Sequence, residues 1–392
     1  MRAAALALAL AACGQPAPFT IDTNPVAIDL SAGPLAIDAE VGEFGRFHAV
    51  LDTATPVTLI DSTEVGRRLV TVDLKDGAAT RARFTLVSAV LAPVTDVGEG
   101  TPVPIGGVIG ADVLSRIAFR IDPNLGQALL YPAIAGTNAA HEDACDAVFP
   151  VSVSGGGQYA LGNETVLYQP TRIALPACVG DAADVGTGPS GKDALFVVAT
   201  GIGPTVLGRG AWKRITGASD ADIDALPKTT LYLGGAGGVS VAQGTLPDLA
   251  LAAREADDRG PCLELYLSRL LAQAASCPQA VSDAYSMSCD CVSQSPTCSA
   301  GAAVELRRTV DVVILDDTHP LLQSIRNELR PAFAEVDGLL GMKTLASFLA
   351  DVDYPGGRVI LRCASANCKQ RAHINGDNRD RARELSALGC FR

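Results

Sequence analysis

The chain has 392 residues, of which 48% are hydrophobic, 19% are charged and 5% are aromatic. This composition excludes a largely disordered chain, and the length is sufficient for two or more hydrophobic cores. The formal net charge of −12 argues against a surface that neutralises phosphates, so nucleic acid is not expected as a partner. Gly (39) and Pro (23) are plentiful, and short runs of Val, Ile and Thr favour a mostly β protein with many turns.

The amino terminus has the pattern of an export signal. A basic start precedes an apolar run over residues 3–12, which is too short to span a bilayer. Leu10-Ala11-Ala12-Cys13 resembles the bacterial lipobox, whose Cys is acylated and becomes the new amino terminus. The resemblance implies a signal peptide over residues 1–12, a membrane anchor on Cys13 and a place in the cell envelope, at the outer membrane because Gly14 follows. A plain secretory signal with an incidental Cys is the alternative.

The next segments lead to the first acidic residue of interest. Residues 13–33 are rich in Pro, Ala and Asp and predict a tether between a lipid and a folded body. Residues 34–41 alternate between apolar and polar and predict a strand, which turns through residues 42–45 into a second strand. That second strand ends at Asp52.

A hairpin is predicted further along the chain. Residues 69–74 and 83–91 are strand candidates, and Lys75-Asp76-Gly77 between them has the composition of a tight turn. The two strands are therefore expected to pair.

The segment that contains Asp52 occurs twice. Ala49-Val50-Leu51-Asp52-Thr53-Ala54 aligns without a gap with Phe196-Val197-Val198-Ala199-Thr200-Gly201. Each copy is an apolar strand that runs into a turn containing Thr. Only the first copy carries an acid after the strand, since the second has Ala199.

A second repeat closes each half of the chain. Gly107-Val108-Ile109-Gly110 and Gly338-Leu339-Leu340-Gly341 are followed at the same offset by Asp122 and Asp353, and the match continues into an apolar strand. Such an ungapped repeat indicates two equivalent units. Each apolar strand is expected to pass close to a turn of the Asp52 type, because Gly lets two backbones approach. Asp122 and Asp353 are predicted to be structural turn residues.

Together these segments resemble the active-site strands and the lobe-closing strands of bilobal, pepsin-like aspartic peptidases. The resemblance implies a mostly β, two-lobed double β-barrel, with the first lobe over residues 34–133 and the second over residues 146–363. It also places a flap on the hairpin over residues 69–91. The oligomeric state that it implies is a monomer.

The resemblance also assigns the site residues. Each active-site strand of the family carries Asp-Thr-Gly, so Asp52 occupies one catalytic position and Ala199 occupies the other. The loops are then completed by Thr53 and Ala54 in the first lobe and by Thr200 and Gly201 in the second. Ala54 departs from the Gly of the family.

The missing acid decides the predicted chemistry. In an aspartic peptidase two carboxylates share one proton, so that one activates water and the other protonates or polarises the substrate. Ala199 can do neither, and losing acid–base work at one step costs about 10²- to 10⁴-fold in rate. We therefore predict a non-catalytic relative that keeps Asp52. The alternative is an active endopeptidase whose second acid comes from elsewhere, for which Asp193 and Asp337 are candidates.

The second half of the chain carries an insertion over residues 250–305, with a helix expected over residues 263–275. A capped helix is predicted over residues 321–329, and a charged tail covers residues 364–392. Besides Cys13 there are ten cysteines, which in an exported chain predict up to five disulfides of unknown pairing. They are Cys145, Cys178, Cys262, Cys277, Cys289, Cys291, Cys298, Cys363, Cys368 and Cys390.

Several patterns imitate other sites. The cysteines between residues 277 and 298 lack paired Cys-x-x-Cys spacing and a neighbouring His, so zinc is not favoured. Residues 186–192 have the P-loop spacing of Gly and Lys, but Asp193 stands where Ser or Thr is needed and the segment precedes a strand, which favours a linker. His48 is expected to be a surface or interlobe residue. No metal and no cofactor is expected.

The sequence leaves three functions open. The favoured one is a lipid-anchored envelope protein whose interlobe cleft binds a peptide or protein without cleaving it. The second is the active endopeptidase with an unusual second acid. The third is a structural protein whose partner binds the cysteine-rich insertion.

Overall fold

We describe the fold from a computed structural model of the chain. The described residues are 19–31, 33–94, 96–132, 146–151, 153, 155–161, 164–169, 171–180, 191–234, 237–253, 260–272, 299–306, 309–330, 335–371 and 374–375. Strands predominate over helices in these ranges. The predicted mostly β fold class is therefore confirmed.

The first lobe is a closed barrel. Its sheet has the strand order β1-β7-β5-β10-β4-β3-β6, and β6 pairs again with β7, which closes the ring. The strands of this half of the chain are β1 (Phe19–Ile21), β2 (Val26–Ala27), β3 (Ala36–Val41), β4 (Gly45–Leu51), β5 (Leu59–Asp61), β6 (Gly66–Asp76), β7 (Ala79–Ala92), β8 (Asp96–Glu99), β9 (Val103–Pro104), β10 (Gly107–Ile109), β11 (Ile117–Asp122) and β12 (Gln127–Pro132).

The second lobe repeats this plan. In its large sheet β16, β17, β25, β18, β24 and β20 are successive neighbours, and β21, which follows β20, pairs back to β16. The strands are β13 (Ala147–Pro150), β14 (Gly157–Leu161), β15 (Glu164–Tyr168), β16 (Ala174–Val179), β17 (Lys192–Val198), β18 (Thr205–Gly208), β19 (Lys228–Leu233), β20 (Gly238–Leu246), β21 (Leu249–Ala252), β22 (Ser299–Ala300), β23 (Ala303–Leu306), β24 (Val310–Leu315), β25 (Gly338–Leu340), β26 (Phe348–Asp353), β27 (Arg358–Cys363), β28 (Cys368–Arg371) and β29 (Ile374–Asn375).

The helices are short and lie mainly in the second lobe. Leu321 donates its backbone N–H to His319 Nδ1, so the predicted helix before the last repeat is capped by His319. The helix expected in the insertion is also present. The helices are α1 (Ala111–Leu114), α2 (Arg209–Thr216), α3 (Asp220–Asp224), α4 (Pro261–Ala272), α5 (Pro320–Leu329) and α6 (Met342–Leu345), and a 3-10 turn covers Gly42–Phe44.

The internal repeat has the same strand pairing in both lobes. β10 runs parallel to β4 and antiparallel to β5, and β25 runs parallel to β17 and antiparallel to β18. A Cβ on Gly107 would lie 2.5 Å from the carbonyl oxygen of Leu59, and one on Gly338 would lie 1.9 Å from that of Val206. Gly is therefore required at both crossings, as the repeat predicts.

A shared sheet joins the lobes. Its order is β13-β27-β26-β11-β12-β2, and the central pair, β11 and β26, comes from opposite lobes. Arg120 on β11 binds the buried Asp351 on β26 at 2.7 Å. The predicted turn roles are confirmed here, because Asp122 accepts the N–H of Asn124 and Asp353 accepts that of Gly356. The two repeats thus continue into one interlobe sheet.

The predicted tether over residues 13–33 is wrong for the part that the structure describes. β1 pairs with β7, β2 pairs with β12, and Val26 is fully buried. Strands of two or three residues carry too little alternation to be visible in a sequence, and here their hydrogen bonds come from distant strands. The proposed signal peptide, Cys13 and residues 14–18 lie outside the described residues.

The expectation of a flap on the β6–β7 hairpin is also wrong. Its turn lies at the far end of β4, where Arg46 donates to the carbonyl oxygen of Gly77 at 2.7 Å. Arg46 precedes Asp52 by six residues on an extended strand, which is about 20 Å. Only residues 62–65 separate β5 from β6, which is too short a segment to form a hairpin that projects over the site. β6 and β7 are instead part of the wall of the first barrel.

Two disulfides are present among the described residues. Cys178 on β16 is joined to Cys262 on α4, and Cys363 is joined to Cys368. The first bond fixes the start of the insertion to the second barrel. The other predicted disulfide cysteines, the P-loop-like segment before Gly191 and the tail from residue 376 lie outside the described residues.

Candidate site at the meeting of the two lobes

Asp52 and Ala199 occupy equivalent positions in the two lobes. The backbone N–H of Asp52 donates to Ile109 of β10 at 3.0 Å, and that of Ala199 donates to Leu340 of β25 at 3.1 Å. Ile109 and Leu340 are themselves equivalent in the second repeat. The structure therefore brings the two loops together as the sequence repeat predicts, with a carboxylate on one side and a methyl group on the other.

Two threonines link the loops reciprocally. Thr53 Oγ1 donates to the carbonyl oxygen of Val198 at 2.7 Å, and Thr200 Oγ1 donates to that of Leu51 at 2.7 Å. Each hydroxyl also accepts the backbone N–H of the other Thr, at 3.1 and 3.3 Å. Both side chains are fully buried. The loops are thus held together by four hydrogen bonds that obey a local twofold relation.

The Asp52 carboxylate accepts hydrogen bonds from both loops. Its Oδ1 accepts the N–H of Ala54 at 2.9 Å and, across the lobe boundary, that of Gly201 at 3.0 Å. Its Oδ2 accepts the hydroxyl of Thr55 at 2.5 Å. Asp52 is only 7% exposed. One carboxylate therefore satisfies donors that two acids could otherwise divide between them.

Position 201 has to be Gly because the Asp52 side chain packs directly against it. A Cβ built on Gly201 would lie 2.4 Å from Asp52 Cγ, well inside van der Waals contact. Ala54, at the equivalent position of the first lobe, is tolerated because it packs in an apolar cluster with Ala199 and Leu339. The methyl groups at positions 54 and 199 thus belong to the same apolar cluster.

Neither predicted second acid lies at this site. Asp337 accepts the N–H of Leu195, in the middle of β17, and pairs with Arg214 at 2.6 Å. Asp193 accepts the N–H of Cys262, beside the disulfide. Asp193 lies at the opposite end of β17 from Ala199, and Asp337 contacts the middle of that strand. Among the described side chains, the hydrogen-bond partners of Asp52 include no carboxylate.

Tyr354 is a site residue that sequence reasoning missed. Its hydroxyl donates to the carbonyl oxygen of Thr171 at 3.2 Å and approaches that of Thr53 at 3.5 Å. Burial, with a smaller contribution from the negative charge of Asp52, raises the pKa of Tyr354 far above its usual value. Its phenol therefore stays protonated behind the Asp52 loop. The available signal was its place directly after Asp353, at the end of the repeat.

His48 is not part of the site. Its side chain lies between the carboxylates of Asp29 and Asp38, at 3.6 and 3.4 Å, and is partly exposed. This position agrees with the predicted surface role.

Two arms cross between the lobes beside the site. The first, which we call the strap, comprises residues 96–104 of the first lobe. Its strand β8 pairs with β19 of the second lobe, and its Glu99 accepts from Lys343 and Gln243. Val97 of the strap is buried against Val50 and Val108, which lie just before the Asp52 loop and α1. The strap thus binds the two barrels along one edge of the site.

The second arm is the β14–β15 hairpin. Its Val166 packs against Val57 and Val90 of the first lobe, although the hairpin leads into the second barrel.

The described residues contain no cluster of His, Cys, Asp or Glu side chains that could hold a metal ion. No described helix is long and apolar enough to cross a bilayer.

Comparison with known proteins gives distant structural likenesses only. No protein-family model matches the chain, and no curated protein matches it. Matching solved structures include the crystal structure of an aspartic proteinase from Irpex lacteus, with 12% identity, 87% of this chain and 97% of that chain covered, and a TM-score of 0.35. This likeness is too weak to support a conclusion about function.

Proposed function

We propose that this protein is a non-hydrolytic member of the pepsin-like architecture, held in the cell envelope by a lipid on Cys13, that binds an extended peptide between its lobes. The observation that supports the missing activity is the unequal pair of loops. Asp52 stands on one side and the fully buried Ala199 stands on the other.

A single carboxylate cannot complete the reaction. Attack of water on an amide requires one group that takes the proton and another that supports the developing charge on the carbonyl oxygen. The donors around Asp52 are its own loop amide, the Gly201 amide and the Thr55 hydroxyl. These groups fix the carboxylate but supply no second acid.

The same contacts suit a binding role. Asp52 holds the two loops at a fixed separation, and Thr55 beside it is partly exposed. We call the edge of the cleft formed by Asp52 and Thr55 the rim. An extended peptide can present its backbone N–H groups to this rim, where the Asp52 carboxylate, as a charged acceptor, forms stronger hydrogen bonds than a neutral one. The proposed ligand is therefore a peptide in an extended conformation.

Peptide binding is tested with a fluorescein-labelled library of random ten-residue peptides. Saturable binding is expected, and mass spectrometry should recover the peptides at full length. Thr55→Trp, which fills the rim, should abolish binding, whereas Thr80→Trp on the distant β6–β7 hairpin should not. Shortened peptides would assign an endopeptidase, and binding that Thr55→Trp leaves unchanged would exclude the cleft.

A further inference from the structure

The folded body begins close to the proposed anchor. β1 starts at Phe19, so five residues separate Cys13 from the first strand. The six Cα–Cα steps from Cys13 to Phe19 span at most about 20–22 Å. If Cys13 carries a lipid, the surface around Phe19 must therefore face the bilayer at short range.

The pairing of β1 fixes which surface this is. Phe19 lies opposite Phe84 of β7, and Ile21 lies opposite Ala82. Because the strands are antiparallel, the amino-terminal end of β1 points along β7 toward Leu86. Leu86 is two positions beyond Phe84, about 7 Å along the strand. The chain thus enters the first barrel beside Leu86.

Exposed apolar side chains concentrate on this part of the barrel. Leu86 is 61% exposed and Leu69 is 72% exposed. Leu69 on β6 lies opposite Ser88, so the two leucines are diagonal neighbours across the strand pair. Val65, just before β6, and Leu167, next to Val166 on the hairpin that covers Val90, are also exposed. We call Val65, Leu69, Leu86 and Leu167 the outer apolar face.

A β-bulge is responsible for the exposure of Leu86. The register of β6 and β7 shifts between Val70 and Val72, which inserts an extra residue in β7. With strict alternation Leu86 would point inward like Phe84, but the bulge turns it outward and buries Val87 instead. Leu86 has a φ of +54°, which side-chain-bearing residues rarely adopt. The fold therefore exposes this leucine at a conformational cost.

Arginines border the face. Arg67 donates to Ser88 Oγ, and Arg68 pairs with Glu64 at 3.5 Å. Both guanidinium groups lie on exposed parts of β6. Apolar side chains beside arginines are the arrangement that suits the boundary between acyl chains and phosphate headgroups.

We propose that the outer apolar face is a membrane-docking surface, which rests on the bilayer that holds the lipid of Cys13. This inference depends on the lipid anchoring included in the proposed function. Docking would fix the orientation of the first barrel on the membrane, with Leu69 and Leu86 inserted at the interface. The lobe boundary would then have a defined direction relative to the bilayer.

The test uses the lipidated full chain in vesicles of phosphatidylethanolamine and phosphatidylglycerol, with and without brominated acyl chains. Bromine quenches Trp only at contact, and the single native residue, Trp212, is buried in the second lobe. Leu69→Trp and Leu86→Trp should each lose emission in the brominated vesicles. Leu125→Trp is the matched control, because Leu125 is 68% exposed but lies at the β11–β12 turn. It should lose none, like the unsubstituted protein.

Other outcomes separate the possible failures. Equal quenching at Leu125, or none at Leu86, would overturn the docking surface. If mass spectrometry finds no lipid on Cys13, the proposed lipid anchor is wrong whatever the quenching shows. The docking proposal would then stand only if the unlipidated chain gave the same quenching pattern, and its absence would overturn docking as well. A dimer in sedimentation that Leu86→Glu converts to a monomer would assign the face to a second copy and overturn the proposal.

Discussion

At the scale of single residues, Asp52 acts as a shared acceptor. In a symmetric site each loop would supply its own acid, but here the Gly201 amide of the second lobe reaches across to the acid of the first. Asp52 is therefore expected to contribute to stability as well as to any binding. A residue kept only for catalysis would have no such effect.

Asp52→Ala should lower the free energy of unfolding. The substitution leaves the Ala54 and Gly201 amides and the Thr55 hydroxyl without their acceptor, and each such group costs about 1–3 kcal/mol when buried. We expect a total loss of about 2–5 kcal/mol in urea denaturation, and a smaller loss for Asp52→Asn, which keeps one acceptor oxygen. The matched control is Asp311→Ala on an exposed position of β24, for which less than about 0.5 kcal/mol is expected. Equal losses for the two alanine variants would contradict the shared-acceptor role.

Asp112 provides a pH-dependent test beneath the same loop. Burial raises its pKa above the ordinary value, against the opposing effect of the Thr58 hydroxyl. The folded state therefore holds this proton more tightly than the unfolded state does. As the pH rises through the ordinary and then the raised pKa, the unfolded state ionises while the folded state still holds its proton, so the stability should fall. The loss should stay constant above that window.

Asp112→Asn should consequently be more stable than the natural protein at pH 7. The gain should shrink as the pH falls toward 4, since the Asp112 carboxyl then approaches its neutral form in both the folded and the unfolded state. Urea denaturation at several pH values measures it, with Asp311→Asn as the exposed control. A gain that is the same at pH 4 and pH 7 would show that ionisation of Asp112 is not its cause.

The residue pairing at the site could be predicted, but its hydrogen bonds could not. The ungapped alignment placed Asp52 opposite Ala199 because equivalent residues of two repeats meet at a twofold. The bond from Gly201 and the position of Tyr354 join residues 149 and 301 positions apart. No local pattern in the sequence encodes such contacts.

At the scale of strands and helices, the strap is the element that sequence reasoning overlooked. The repeats predicted β4, β10, β17 and β25 because each has an apolar run, and β10 and β25 also begin at a required Gly. The strap is a two-residue and a four-residue strand among Gly, Thr and Pro. Its pairing partner, β19, lies in the other lobe, so only the folded backbone reveals it.

Val97→Asp should release the strap. Val97 is 4% exposed between Val50 and Val108, and burying an unpaired carboxylate there is strongly unfavourable. Two amides report the pairing, because Gly234 donates to Asp96 at 2.7 Å and Gly100 donates to Thr230 at 2.8 Å. Hydrogen exchange at both amides should accelerate in the variant.

An internal control comes from the same molecule. The Gly217 amide closes α2 by donating to Lys213 at 2.9 Å, away from the strap, and its exchange should not change. Acceleration at Gly217 as well would indicate general unfolding, whereas unchanged exchange at Gly100 and Gly234 would show that Val97 does not hold the strap.

At the scale of the whole molecule, the two lobes are held together in several ways. They share the β11–β26 pairing, the reciprocal threonines, the strap and the β14–β15 hairpin. The two-lobed plan followed from the repeats, whereas these arms did not, since they differ between the lobes. The strap borders the site at which we propose that a peptide binds, so the exchange behaviour of the Val97 variant also bears on that proposal.

The single-carboxylate site is tested most directly by an assay of hydrolysis. Purified mature protein is incubated with a reduced, unfolded protein substrate from pH 3 to pH 6, and new amino termini are quantified beside Asp52→Ala. One acid facing Ala199 predicts that neither protein releases termini above the buffer control at any pH. Cleavage by the natural protein that disappears in Asp52→Ala would contradict this prediction and establish a second acid.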